Sequence, residues 1–185
     1  MKIGIILGST RPGRKGEHVA RWVNELAQQR SDAEFELVDL ADYELALLND
    51  PTVPGAAQRQ YEDEATQRWG AKIDELDGFV FVTPEYNHGV PGALKNAFDV
   101  ISPEWGNKAV GFVSYGADGG VRAVEQWRGI VANAHLYAVR GQVAIYLFEE
   151  FDGEGNFTPK DRRADELSTV FDQVVPLAGA LKTLR

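Results

Sequence analysis

The sequence predicts an α/β fold, a doubly wound five-stranded parallel sheet of order 2-1-3-4-5 with helices on both faces, α/β/α in three layers. Three observations lead there. Apolar strands alternate with amphipathic helices along the chain of 185 residues. Several strands read as unbroken apolar runs, as strands covered on both faces do. The turns after strands one, three and four are rich in Gly, hydroxyls and amides, which suits the carboxyl edge of such a sheet, where ligands bind. Residues 1–185 are expected to form a single domain.

Residues 3–7 form the first apolar run. Val19, Trp22, Val23 and Leu26 then fall at helical spacing, one apolar stripe of an amphipathic helix. Residues 35–38, Phe-Glu-Leu-Val, read as the second strand. The stretch 41–57 has little periodicity and holds Pro51, Pro54 and Gly55, so it reads as an exposed excursion. Tyr61, Ala65, Trp69, Ile73 and Leu76 mark a second helix, and 79–82 a third strand. A third helix runs over 92–101 from near Pro91, followed by a fourth strand from Lys108 to Ser114. Val121, Val124, Ile130 and Val131 place a fourth helix, and 137–148 a fifth strand. Leu167 to Leu184 carry a C-terminal helix that Pro176 should kink or divide.

Composition narrows the function. The absence of cysteine removes thiolate nucleophiles, iron–sulfur ligation and Cys-based zinc, and fits a reducing compartment; no metal site is expected. A formal net charge of −9 disfavours nucleic acid as a partner. No apolar run is long enough for a bilayer, so the chain reads as cytoplasmic, with no membrane partner. Trp105, Trp127 and Tyr137 could serve either an interface or the core.

Three loops should meet at one sheet edge. The first, Gly8-Ser9-Thr10-Arg11-Pro12-Gly13-Arg14-Lys15-Gly16-Glu17-His18, offers hydroxyls, cations and a helix N-terminus, which suits a phosphate. It is neither a P-loop, which needs Gly-Lys-Ser/Thr, nor Gly-x-Gly-x-x-Gly. The second runs Thr83-Pro84-Glu85-Tyr86-Asn87-His88-Gly89-Val90-Pro91-Gly92 and suits a flat heteroaromatic ring, with Asn87 as donor and acceptor and Tyr86 as a face. The third, Ser114-Tyr115-Gly116-Ala117-Asp118-Gly119-Gly120, permits close backbone approach. Each loop alone has a bland reading as a turn; together they describe a site for a mononucleotide with a planar ring.

Gly8-Ser9-Thr10-Arg11, the run from Thr83 through Pro91-Gly92-Ala93-Leu94-Lys95-Asn96 to Asp99, and Ser114-Tyr115-Gly116 resemble the NADPH-dependent FMN reductase family of the flavodoxin-like superfamily. The resemblance covers roughly residues 1–148, and its specific part is Pro-Glu-Tyr-Asn with its Pro-Gly-x-Leu-Lys-Asn continuation. It implies FMN as cofactor, with the phosphate at Ser9, Thr10, Arg11 and the residues entering the first helix, Lys15, Gly16, Glu17, His18 and Val19. It implies the ring edge at Pro84, Glu85, Tyr86 and Asn87, flanked by Ser114, Tyr115 and Gly116. Glu17 and His18 stand where many members have Ser or Asn, and a carboxylate there disfavours a phosphate unless it points away. His88 faces the ring, a substrate or solvent.

The implied activity is a ping-pong NAD(P)H oxidoreductase: hydride from NADPH or NADH reaches the flavin, and a small-molecule electron acceptor such as a quinone, flavin, azo compound or chromate is then reduced. No side chain needs to be a catalytic nucleophile, because the flavin carries the chemistry. Backbone N–H groups of residues 85–87 are expected to steady charge at the pyrimidine edge. The family implies a homodimer or homotetramer. An electron carrier of flavodoxin type or a flavin-dependent regulatory protein is the alternative; the cationic phosphate loop speaks against the carrier.

Overall fold

The computed structural model describes residues 1–185. In chain order the elements are β1 (Lys2–Leu7), α1 (Gly16–Ala27), β2 (Glu34–Asp39), α2 (Glu64–Asp74), β3 (Gly78–Pro84), α3 (Gly92–Asp99), β4 (Lys108–Gly116), α4 (Val121–Asn133), β5 (Leu136–Tyr146) and α5 (Arg162–Leu181). All strand pairs are parallel and the order is β2-β1-β3-β4-β5, as expected. Strand periodicity splits the core in two. Ile3, Ile5, Leu7, Val80 and Val82 face α1 and α5, while Ile6, Phe79 and Phe81 face α2, α3 and α4. The carboxyl ends of β1, β3 and β4 thereby point to one edge, which sets the three loops side by side.

Some boundaries differ from expectation. Tyr61 is buried but precedes α2: Asp63 accepts from the Thr66 N–H at 2.7 Å, so the helix starts after it. The Tyr61 hydroxyl instead donates to the buried carboxylate of Glu104 at 2.8 Å. Pro176 neither divides nor ends α5. It is exposed, so the carbonyl of Asp172 that its missing N–H leaves free faces solvent. The excursion 41–57 contains only short 3-10 turns at Leu40–Tyr43 and Pro54–Ala56. Trp105 and Trp127 are fully buried in the core, and Tyr137 alone of the three stays exposed, at 44%.

β5 is an edge strand. Its register shifts opposite Val110 and Phe112, and side chains serve the irregular stretch. Arg128 from α4 donates to the carbonyls of Val139 (2.7 Å) and Arg140 (3.1 Å), and Gln173 from α5 accepts from the Gly141 N–H at 2.8 Å.

At the other end of the sheet, Asp77 accepts from the Lys2 N–H (3.0 Å), Lys182 (3.0 Å) and Arg185 (2.8 Å), tying both chain ends to β3. Burial alone would raise its carboxyl, but these donors together bring it down to about 2. A folded value below the unfolded one stabilises above about pH 4, and that contribution is lost as the pH falls through about 2. Asp77→Asn should therefore destabilise the protein at neutral pH by on the order of 2 kcal/mol. The gap from wild type should close on acidification, and urea midpoints across that range measure it. A gap independent of pH would reject the assignment.

Candidate functional site

The loop between β1 and α1 is a set of donors without protein acceptors. From Ser9 to Gly16 no backbone N–H donates to a backbone carbonyl. Thr10 to Gly13 are exposed, and a turn whose N–H groups have no protein acceptor is open to an anion. Gly16 is needed here: a Cβ at that position would run into the Tyr115 hydroxyl. That hydroxyl is buried and has no hydrogen-bond partner. Burial, and next the neighbouring Tyr86, push the Tyr115 phenol up from its ordinary value, so it stays protonated as a donor.

The charges around this loop sort by sign. Arg14 pairs with Asp39 at the end of β2 and donates to the Ser9 carbonyl at 2.7 Å. Glu17 pairs with Arg21 along α1 at 2.5 Å, which turns its carboxylate to the helix surface. The carboxylate of Glu85, 7% exposed, accepts from the Arg122 N–H (3.0 Å), the Ala123 N–H (3.3 Å) and the Arg122 guanidinium (2.8 Å). It thus caps α4. Asp39, Glu17 and Glu85 are each paired with a guanidinium, while the guanidinium of Arg11 lies 5.7 Å from the Tyr86 ring centre and Lys15 Nζ 4.3 Å from that of Phe151. The field of this edge is positive although the chain is acidic.

After β3 the chain makes a tight turn. Tyr86 and Gly89 exchange backbone bonds of 3.1 and 3.0 Å, with Asn87 and His88 at φ of 50° and 63°. Two successive left-handed residues favour Asn at the first. The Glu85 N–H donates to the Tyr115 carbonyl at 3.1 Å, so of residues 85–87 only Asn87 keeps a free N–H; the expectation of three is corrected. The Tyr86 hydroxyl lies 3.0 Å from Ser9 Oγ, linking loops one and two.

A cleft of about 270 Å³ opens among these groups. Of the residues expected at the site, Ser9, Arg11, Lys15, Pro84, Glu85, Tyr86 and Tyr115 line it. Thr10 points instead into a separate cavity of about 480 Å³. Gly16 lies beneath the cleft. Val19 is a core side chain and His18 is exposed, so only their backbone can serve. The Ser114 hydroxyl is not available to a ligand, because it is fully buried and donates to the Gly119 carbonyl at 2.7 Å. Gly116 ends β4, and its carbonyl accepts from Gly119 and Leu147. Asn87 and His88 are both exposed at the turn, outside the cleft lining.

Sequence reasoning missed an arm at 147–161. Leu147 lines the cleft, and Phe151 stands over Lys15. Phe151 and Phe157 form a bridge, and Phe157 packs edge-on against Trp22 of α1 at 5.6 Å. The arm is anchored by Glu150 and Arg163, 0% and 2% exposed, joined by bonds of 2.8 to 3.2 Å. No periodicity marks such a segment; its two aromatics around Asp-Gly-Glu-Gly-Asn were the available signal.

The family described as NADPH-dependent FMN reductase matches residues 1–150. An NAD(P)H-dependent FMN reductase of Schizosaccharomyces pombe is 44% identical over 64% of this chain and 60% of its own length. The chain thus spans well under two thirds of that relative. A 2-hydroxy-1,4-benzoquinone reductase of Burkholderia is 30% identical over 88% of both chains. Among solved structures, the flavoenzyme NAD(P)H:(acceptor) oxidoreductase FerB of Paracoccus denitrificans superposes with a TM-score of 0.75 over 97% of both chains, at 20% identity. That last likeness speaks to the fold alone.

Proposed function

The chain belongs to the NADPH-dependent FMN reductase family, and from that premise we propose that it binds FMN at the cleft and uses NAD(P)H to reduce a small-molecule acceptor. The observation that carries this reading is the donor set: free N–H groups from Ser9 to Gly16, the unpartnered Tyr115 hydroxyl, and Arg11 and Lys15 without carboxylate partners. Such a set fits a phosphate dianion.

Ser9, Arg11, Lys15, Gly16 and Tyr115 would hold the phosphate, Thr10 through its backbone N–H only, with Glu17, His18 and Val19 contributing through the helix start only. Pro84, Glu85, Tyr86 and Asn87 would border the ring, and Ser114 and Gly116 would shape the wall behind it. When bound, FMN would supply the redox chemistry between NAD(P)H and the acceptor. The protein's share is placement and field. Glu85 and Glu17, held by Arg122 and Arg21, keep negative charge away from the phosphate and the ring. The Asn87 N–H, which has no backbone acceptor, would be the donor toward the ring edge. We place all 185 residues in one domain. The need for NAD(P)H supports a cytoplasmic site, and the family resemblance a homodimer or homotetramer, which light scattering would test. Quinones and azo compounds are the acceptor classes that the relatives' names support.

The test is a visible spectrum of the protein after FMN addition and desalting, followed by NADPH or NADH without oxygen. A retained flavin band that bleaches supports the reductase. A retained band that neither nucleotide bleaches would replace it with the electron-carrier reading.

A further inference from the structure

Lys15 differs from every other lysine of the chain. Lys2, Lys72, Lys95, Lys160 and Lys182 each pair with a carboxylate, and Lys108 donates to the carbonyls of Ile73 and Asp74. Lys15 has no such partner, and its ammonium stands instead over the ring of Phe151 at 4.3 Å. Every other cation–ring distance in the molecule is 5.5 Å or longer.

The ring belongs to the arm, yet it is fixed like a core residue. Phe151 is 9% exposed and directly follows Glu150, whose carboxylate is locked to Arg163. It packs on Phe157 at 5.1 Å, and Phe157 in turn stands edge-on against Trp22. The arm therefore meets α1 at Trp22 and again at Lys15, the residue before the helix begins. Its turn also passes close, since a Cβ at Gly155 would lie 3.9 Å from Lys15 Nζ. The carboxylates of the arm are engaged elsewhere. Asp152 accepts from the Glu154 and Asn156 N–H groups and from the Asn156 amide, and Glu149 pairs with Lys160.

Lys15 lines the cleft, so what holds it decides what it can offer there. An aromatic face attracts an ammonium without cancelling its charge. A carboxylate in that place would cancel it, as Asp39 does for the neighbouring Arg14. A lysine loose in solvent would have to freeze its long stem on meeting a ligand, and a stem held beforehand loses less. We propose that Phe151 is a positioning residue: the arm presents its ring so that Lys15 is held, still charged, at the phosphate end of the cleft. The proposal rests on the flavin reading of that cleft. Phe151 and the turn after it lie beyond the residues, 1–150, that the family matches.

Fluorescence titration of the full chain, freed of flavin, with FMN and with riboflavin tests this, because the two ligands differ only by the phosphate. Phe151→Leu keeps an apolar side chain and removes the π face. It should weaken FMN about fivefold and move riboflavin less than about twofold. In a Lys15→Met background the same change should have no further effect on FMN, since the group it positions is gone. Replacing Phe151 by trifluorophenylalanine keeps the shape of the ring and drains its face of negative charge. FMN should again weaken and riboflavin stay put, and this variant decides the matter should Phe151→Leu fail to fold. An undiminished preference for FMN over riboflavin in these variants would overturn the positioning role and leave the cleft reading standing. Equal losses for both ligands, or a Phe151→Leu effect that persists with Lys15→Met, would mark a ring that serves only the fold and overturn it too. Tighter FMN binding in Phe151→Leu would mean that the ring holds Lys15 back from the phosphate, the reverse of the proposal. Wild-type protein that binds FMN no better than riboflavin would overturn the phosphate reading itself and this proposal with it.

Discussion

Glu150→Gln should cost about 3 kcal/mol of folding stability, a large part of what a domain of this size has. Burial works against the Glu150 carboxylate, yet the Arg163 guanidinium and the N–H groups of Tyr146 and Lys160 hold its titration below the ordinary value. Removing the charge leaves the Arg163 guanidinium, 2% exposed, with Glu166 at 2.7 Å as its one carboxylate partner. That remaining partner is why the loss should fall at the lower end of the range for broken buried pairs. Replacing both residues by Leu should not restore wild-type stability, because Glu150 also accepts from the Tyr146 and Lys160 N–H groups, both at 3.1 Å, and these would lose their acceptor. Urea unfolding of the two variants measures this. A Glu150→Gln variant within about 1 kcal/mol of wild type would show that the pair is not what anchors the arm.

Tyr115→Phe should move two measurements in opposite directions. Without FMN the hydroxyl is a buried donor with no partner, and deleting it removes a desolvation cost of about 1–3 kcal/mol. The apoprotein should melt higher. FMN binding should weaken by about tenfold or more, since a hydrogen bond to a charged group is lost. Thermal melts of the apoprotein and flavin-fluorescence titrations separate the two effects. If stability and affinity fell together, the Tyr115 hydroxyl would have a role in the fold rather than toward the ligand.

The fold was legible because its strands announce themselves. Runs such as Phe79-Val80-Phe81-Val82 are apolar on both faces, and only a sheet covered twice needs that. The order of the loops then follows from topology, which is why Ser9, Arg11, Tyr86 and Tyr115 could be grouped although they lie far apart in the chain. What sequence does not carry is the direction of a side chain in a loop. Glu85 and Ser114 sit at the right strand ends, yet one caps α4 and the other closes its own loop. Partnerships across long separations were equally hidden. Arg14 counts as one more cation in the sequence, and only the fold brings Asp39 to it. Nothing in the sequence pairs Glu150 with Arg163, which meet only in the folded chain.

The side chains that serve β5 bear on how copies of the protein can meet. An open strand edge is a template for another chain, and in a long parallel sheet it is a standing route to polymers. Here a newcomer would first have to displace two carbonyl bonds from Arg128 and one amide bond from Gln173 before forming its own ladder. At residues 139–141 the strand is thereby a poorer template than an open ladder. The irregular stretch thus works against strand-to-strand polymerisation at this end of the sheet, the kind of contact that propagates instead of stopping at a finite number of subunits.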